Sequence, residues 1–223
     1  MSAKISINQL ADFLTGTEAK RKRIIEQQKN PDQLRMAWYQ LAKSRVRKVF
    51  QNNGDLQAVI DGISILKARK PEKKRQQNDK EVSIEALQRF VKMQIPSYLK
   101  NIKYEVVKPP KIKSIFVLGV EIIVSPDVII KFDLDGKTYL GAIKIHISKS
   151  NAFDKQQQKV IAAALYKYLK TNVAKQNEVV LNDFCISLDI FGGGYAALPT
   201  NKQISLETLN DSCKEVLMFW NAA

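Results

Sequence analysis

The most constraining feature of this chain is a two-residue turn, Asp135-Gly136, set between two apolar runs. An Asp-Gly pair readily takes the positive backbone angles of a tight antiparallel connection. The flanking runs are therefore expected to fold back on one another as a hairpin. The first run, Val128-Ile129-Ile130-Lys131-Phe132, follows a Pro126-Asp127 step. The second, 138–147, alternates: Gly141, Ile143, Ile145 and Ile147 fall on one face, and Ala142, Lys144 and His146, with Ser148 after them, on the other. The isoleucine face is expected to bury against a helix.

Around this hairpin the pattern changes period. Strand-like runs cover 112–118 and 120–124, with Gly119 between them. A helix is expected over 154–169, where small alanines allow close contact with a sheet. A strand over 179–190, the turn Gly192-Gly193-Gly194 and a short strand over 195–198 follow, and Ser205 is placed at the start of a last helix. The order is helix, three or four strands, helix, two strands, helix. It fits an α+β or α/β domain with a mixed sheet flanked by helices.

The first third reads as helical. Ser6 is a capping candidate for a helix carrying Leu10, Phe13 and Leu14. Asn30-Pro31-Asp32 is a helix start, with Leu34, Trp38, Leu41 and Arg45 near one stripe and an end near residue 50. A further helix is expected over 55–68, weakened by Gly62. Residues 69–80 lack core-forming side chains and read as a mobile connector, with ordering against phosphate as the alternative. Ser83 is a candidate cap for the next helix, which presents Leu87, Phe90 and Val91 and stops by Pro96. The expected division is a basic helical module over 1–70, a charged linker over 71–82 and a second domain over 83–223.

Charge is concentrated in the first half. Residues 1–111 hold 24 Lys/Arg against 11 Asp/Glu, and residues 112–223 hold 12 against 11. A localised positive field attracts polyanions, so DNA or RNA is the expected partner. The candidate phosphate contacts are Lys20, Arg21, Lys22 and Arg23, which Ile24 and Ile25 could anchor to a core, then Lys43, Arg45, Arg47 and Lys48, for which a solvated helix surface is the alternative. Trp38 and Tyr39 can stack on bases or pack internally.

Other classes are disfavoured. Two distant cysteines and one histidine do not build a zinc pattern or a disulfide framework. No window resembles a membrane span, and residues 1–10 lack the apolar core of a signal peptide. The triple glycine is not followed by the Lys-Ser/Thr pair of a phosphate-binding loop. A cytoplasmic setting is expected.

Pro126-Asp127, the Asp135-Gly136 turn and Ala142-Ile143-Lys144 on the returning strand resemble the PD-(D/E)XK nuclease superfamily, over residues 83–198. The resemblance implies a restriction-endonuclease-like sheet in which Asp127 binds magnesium or manganese and Lys144 orients the attacking water. It also implies a missing ligand, because Ala142 stands where a second acid is usual. Glu121 or Glu105 could replace it from a neighbouring element, and the Ile143 carbonyl could add an oxygen. Asp133 shares the parity of Asp127 but lies roughly 20 Å along an extended strand. His146 and Gln158, with Gln157 beside it, become candidate contacts to substrate phosphate.

The leading expectation is a nucleic-acid-binding protein on a divergent nuclease scaffold, with weak or absent cleavage, in phage defence or DNA processing. Such a protein needs no cofactor. The alternatives are an active magnesium- or manganese-dependent DNA nuclease with a relocated acid, and a structural subunit held by a protein partner. All of them that use the hairpin require Asp127 and Lys144 to emerge on the same side of the sheet.

Overall fold

The expected hairpin forms. Asp135 and Gly136 take φ of 48° and 73°, and the strands they join run antiparallel, with Val128 opposite Ile143 and Leu134 opposite Lys137. The computed structural model describes residues 2–30 and 38–222. In chain order its elements are β1 (Lys4–Ser6), α1 (Ile7–Leu14), α2 (Glu18–Lys29), α3 (Gln40–Gln51), α4 (Gln57–Ala68), α5 (Lys74–Lys92), the single turn α6 (Tyr98–Asn101), β2 (Glu105–Val107), β3 (Ser114–Val117), β4 (Val120–Ile123), β5 (Val128–Leu134), β6 (Lys137–His146), α7 (Lys155–Asn172), β7 (Glu178–Asp189), β8 (Gly194–Ala197) and α8 (Gln203–Ala222).

The main sheet has the order β2-β5-β6-β7-β8. Strands β2, β5 and β6 form an antiparallel meander. Helix α7 then crosses over to β7, which lies parallel to β6, and β8 closes the far edge antiparallel. A smaller sheet, β1-β4-β3, stands beside it. Mixed sheets flanked by helices make this an α+β architecture.

Both faces of β6 are buried, and the two faces differ in kind. Ile143 and Ile145 enter a core shared with Val46, Leu66, Leu87 and Phe90 from α3, α4 and α5. Ala142 faces the other core, which holds Ala162, Ala163 and Ala164 of α7 together with α1, α8 and the small sheet. Small side chains on both partners let α7 lie close to the strand. Helix α7 starts at a reciprocal cap: Gln157 N donates to Asp154 Oδ1 at 2.8 Å, and Asp154 N donates to Gln157 Oε1 at 2.9 Å, satisfying two amides that the helix itself leaves open.

At Gly141 the β7 backbone approaches β6 closely. A Cβ at this position would sit 2.5 Å from Phe184 Cβ and 2.7 Å from its carbonyl oxygen. The pairing register shifts here, between Leu140 and Ala142, so the glycine accommodates a bulge.

Several expectations are corrected. The helices of 1–70 do not form one module. Strand β1 pairs in parallel with β4, and α1 and α2 share the core of α7 and α8, whereas α3 and α4 cover the opposite face of the main sheet. The cause is that Ile5, Leu10, Phe13 and Ile25 are all fully buried in the core that α7, α8 and the small sheet complete. The stretch 71–82 is not a linker, because α5 begins at Lys74. One buried stripe, Ala86, Leu87 and Phe90, is enough to dock it, and Lys80 Nζ ties its start to the end of α4 by donating to Lys67 O at 3.1 Å and Arg69 O at 2.7 Å. Ser83 is buried inside that helix rather than capping it, and Val91 is exposed. Helix α4 forms through Gly62, which makes room for Arg45, whose Cγ lies 2.7 Å from where a Cβ would stand. Ser205 falls within α8, not at its start.

Ser6 caps α1 as expected, its Oγ accepting from Gln9 N. The helix start at Asn30-Pro31-Asp32 and the apolar position Leu34 lie outside the described residues from Pro31 onward. Helix α3 begins at Gln40 after Tyr39, which takes φ 62°. Among the described residues no helix is long and apolar enough to cross a membrane.

Candidate functional site

A cleft of about 630 Å³ opens where α3, the β2–β3 connection and the 125–129 turn meet. Among the described residues its charged lining is Lys43, Arg47, Lys108, Lys113 and Lys144, against the single acid Asp127. The hairpin register delivers the two central residues. Asp127 N donates to Ile143 O at 2.9 Å, and Asp127 Oδ2 accepts from Ile145 N at 2.8 Å, so the carboxylate is fixed to the strand that carries Lys144. Asp127 and Lys144 therefore emerge on the same side of the sheet, into one cavity.

The Asp127 carboxylate is fully engaged. Lys43 Nζ lies 3.0 Å and Arg47 Nη2 3.2 Å from Oδ1, with the Asp127 side chain only 5% exposed. Lys144 makes its own contacts, donating from Nζ to Val124 O at 3.0 Å and Ser125 O at 2.6 Å. Burial brings its pKa down to about 8; the Asp127 carboxylate opposes that shift, and Lys43 and Arg47 add to it.

Ser125 gives the turn its shape. It takes φ 40° although it is not glycine and precedes a proline, which is a doubly disfavoured position. The turn is held by Lys113 O, which accepts from Val124 N at 2.9 Å and Ser125 N at 3.1 Å. Strain held in place by surrounding hydrogen bonds is characteristic of binding sites.

The donor set does not fit a magnesium or manganese ion. Such an ion needs several oxygens in an octahedral shell. Here both carboxylate oxygens are in use, the Ile143 carbonyl accepts from Asp127 N, and the Val124 and Ser125 carbonyls face an ammonium group. Ala142 does not line the cleft; it is fully buried in the core that contains α7. An acid there would be desolvated rather than presented to a ligand. Glu121 sits in the smaller sheet and pairs with Lys4 at 3.1 Å. Hydrogen bonds from Ser114 and Lys4 hold its pKa below the ordinary range. Glu105 is exposed on β2, opposite Lys131. Among the described residues no group of three or more His, Cys, Asp or Glu could hold a metal ion.

The remaining sequence candidates separate into two kinds. Lys43 and Arg47 reach the cleft. Arg45 instead packs over Gly62, and Lys48 is exposed outside the cleft lining. The α2 run is largely structural. Lys20 pairs with Asp12 at 3.3 Å and Lys22 with Glu18 at 2.8 Å. Arg21 donates to Phe13 O and Leu14 O, each at 3.0 Å, and pairs with Glu215 at 3.1 Å. Arg23 is exposed.

His146 and Gln158 are corrected as phosphate contacts. The His146 ring stacks on Phe153 at 3.7 Å, its Nε2 lies 2.8 Å from Asn151 O, and burial lowers its pKa. Gln158 is 2% exposed and donates to Phe153 O at 3.0 Å. Gln157 is likewise turned inward, to Ala11 O and Thr15 Oγ1. Asp133 accepts from Thr138 Oγ1 at 2.6 Å, and the fully buried Asp189 from Phe153 N and Gly192 N.

Sequence reasoning missed Lys108, Lys113 and Ser125. The signal was the run Lys108-Pro-Pro-Lys-Ile-Lys113, where two prolines stiffen a loop and hold its lysines apart. No family model matches the chain, and no curated protein matches it.

Proposed function

We propose that this protein binds nucleic acid through the cleft around Asp127 and Lys144, on a scaffold divergent from the PD-(D/E)XK nucleases, with weak or absent cleavage. The observation that carries the reading is the charge of the cleft: among the described residues five cationic side chains converge on a space whose one carboxylate is already paired. Such a site favours an anion over a cation, and the phosphate of a polyanionic chain suits a protein with formal charge +14.

The scaffold relationship has its own support. An antiparallel meander carries the Pro-Asp step and the lysine, and a helix then leads to a strand parallel with the lysine strand. The metal that the resemblance implies would supply Lewis-acid activation of phosphate and water. In its place stand the Lys43, Arg47 and Lys144 cations, which bind and orient phosphate but do not generate hydroxide. A cytoplasmic, reducing compartment fits the two free and buried thiols. Burial pushes Cys213 up to about 12 and Cys185 higher still, which leaves both unreactive.

The test pairs binding with cleavage. Linear, circular, single-stranded and structured DNA, and RNA, are offered with magnesium or manganese. The expected result is salt-sensitive binding without cutting. Cleavage lost in both Asp127→Ala and Lys144→Ala, with folding and binding retained, would instead establish a metal-dependent nuclease with a relocated acid.

A further inference from the structure

The turn between α4 and α5 concentrates charge. Lys67, Arg69, Lys70, Lys73, Lys74 and Arg75 are all exposed, with Glu72 as the acid among them. None of the six is in an ion pair with another described residue, unlike most of the α2 run. The turn is nevertheless fixed. Lys80 holds the end of α4, and Asp79 Oδ1 accepts from Tyr39 N at 2.9 Å, linking α5 to the start of α3. Six cations outnumber the acids beside them, Glu72 and Asp79; they repel one another, and an ordered array of this kind is relieved by a polyanion.

Beside the turn stands an aromatic surface. Trp38 is 38% exposed, and the Arg75 guanidinium lies 5.6 Å from the centre of its ring. Trp38 and Tyr39 form one wall of a cavity of about 600 Å³, whose other walls include Asn78, Glu81 and Ser148. An apolar ring face next to amide, carboxylate and hydroxyl groups suits a nucleobase, which has a flat apolar face and polar edges.

Helix α3 runs from the cavity to the cleft, with Tyr39 at one and Lys43 and Arg47 at the other. Lys43 and Arg47 follow Tyr39 at four-residue intervals, about 6 Å per step along α3. On the sheet side, Ile147 lines the cavity three residues after Lys144, roughly 10 Å of extended chain. A nucleic-acid strand can thus run from the basic turn, past Trp38, to the cleft.

We propose that Trp38 and the α4–α5 turn form a contact zone for single-stranded nucleic acid, with an unpaired base stacked on Trp38 and backbone phosphates on the turn. This rests on the proposed function and extends it. The strand state follows from the indole: an unpaired base offers its face, whereas a duplex hides base faces in its stack.

The experiment uses the fluorescence of the full chain. The sequence has two tryptophans, so Trp220→Phe leaves Trp38 as the reporter. The titrants are a single-stranded DNA oligonucleotide, an RNA oligonucleotide of the same sequence, the corresponding duplex DNA and inorganic phosphate. Single strands quench Trp38, while phosphate, which carries no base to stack on the indole, does not; the tighter of the DNA and RNA arms identifies the preferred sugar. Trp38→Ala weakens single-strand binding by about ten-fold or more, and Trp38→Phe retains most of it. Replacing Lys70, Lys73 and Lys74 together by Gln flattens the log affinity against log salt slope by about 2.

Labelled single strands that bind with unchanged Trp38 emission and unchanged affinity in Trp38→Ala would overturn this zone and leave the cleft standing. Duplex that quenches as strongly as single strands would overturn the strand assignment. Absence of any nucleic-acid binding would overturn both this zone and the function on which it rests.

Discussion

Lys43 reaches from α3 across the edge of the sheet to within 3.0 Å of the Asp127 carboxylate. The residue that resemblance makes a metal ligand is therefore a counter-ion for the protein's own cations. Asp127 also anchors the Ile145 amide, so it holds α3 and β6 in the geometry that leaves the remaining positive charge facing the cleft.

Replacing Asp127 separates these roles. Asp127→Asn keeps an oxygen for the Ile145 N–H and removes a negative charge from an anion site, so phosphate and oligonucleotide affinity should rise. Asp127→Ala also strands a buried amide and should lose about 1–3 kcal/mol more stability than the asparagine variant. Anion titration with denaturant unfolding of both variants checks this. Reduced anion affinity in a folded Asp127→Asn variant would contradict it.

Lys144 gives the cleft a pH dependence. With a pKa brought down to about 8 by burial, it is charged at neutral pH and loses its charge as pH rises through that value. Anion binding should weaken between about pH 7 and 9 at constant salt, while Lys144→Arg, which stays protonated, should flatten the profile. Stability changes in the opposite direction. Between about 8 and the ordinary lysine value the unfolded chain binds more protons than the folded one, so stability rises with pH across that window. Binding and unfolding measured at several pH values test both signs.

The α2 arginine separates structural charge from binding charge. Arg21 satisfies two carbonyls at the end of α1 and pairs with α8. Arg21→Ala should cost about 1–3 kcal/mol of stability and leave nucleic-acid affinity nearly unchanged at a temperature where the variant is folded. Thermal unfolding alongside oligonucleotide binding provides the check.

Gly141 tests how the sheet positions Lys144. Gly141→Ala forces a Cβ against Phe184 backbone and side chain, and should cost about 1–3 kcal/mol through overpacking. Gly136→Ala makes a useful contrast. It meets open space but a φ of 73°, and should cost about 1–2 kcal/mol by backbone strain alone. Denaturant unfolding should show both losses, with anion affinity falling only in Gly141→Ala.

The hairpin, the position of α7 and the order of elements along the chain after residue 112 were legible because local chemistry decides them. Asp-Gly fixes a turn, helical periodicity with small alanines marks α7, and alternation fixes a strand. The partition of 1–70 was not legible, because nothing local says that Lys4–Ser6 pairs with β4. The supposed linker failed for a related reason: a polar sequence with one narrow apolar stripe becomes a helix when a core waits for that stripe. At the site, the sequence indicated Asp127 and Lys144 correctly as neighbours. It could not show that Lys43 and Arg47, eighty or more residues earlier, close on the same carboxylate.

The most direct test is the salt dependence of oligonucleotide binding in the wild type and in Lys43→Gln and Lys144→Gln. If cleft cations neutralise phosphates, the logarithm of affinity falls linearly with the logarithm of salt, and each replacement flattens that slope by roughly 0.7 for a single strand. Failure to bind any DNA or RNA form at low salt, or a slope and affinity unchanged by either replacement, would contradict a phosphate-binding cleft at Asp127 and Lys144.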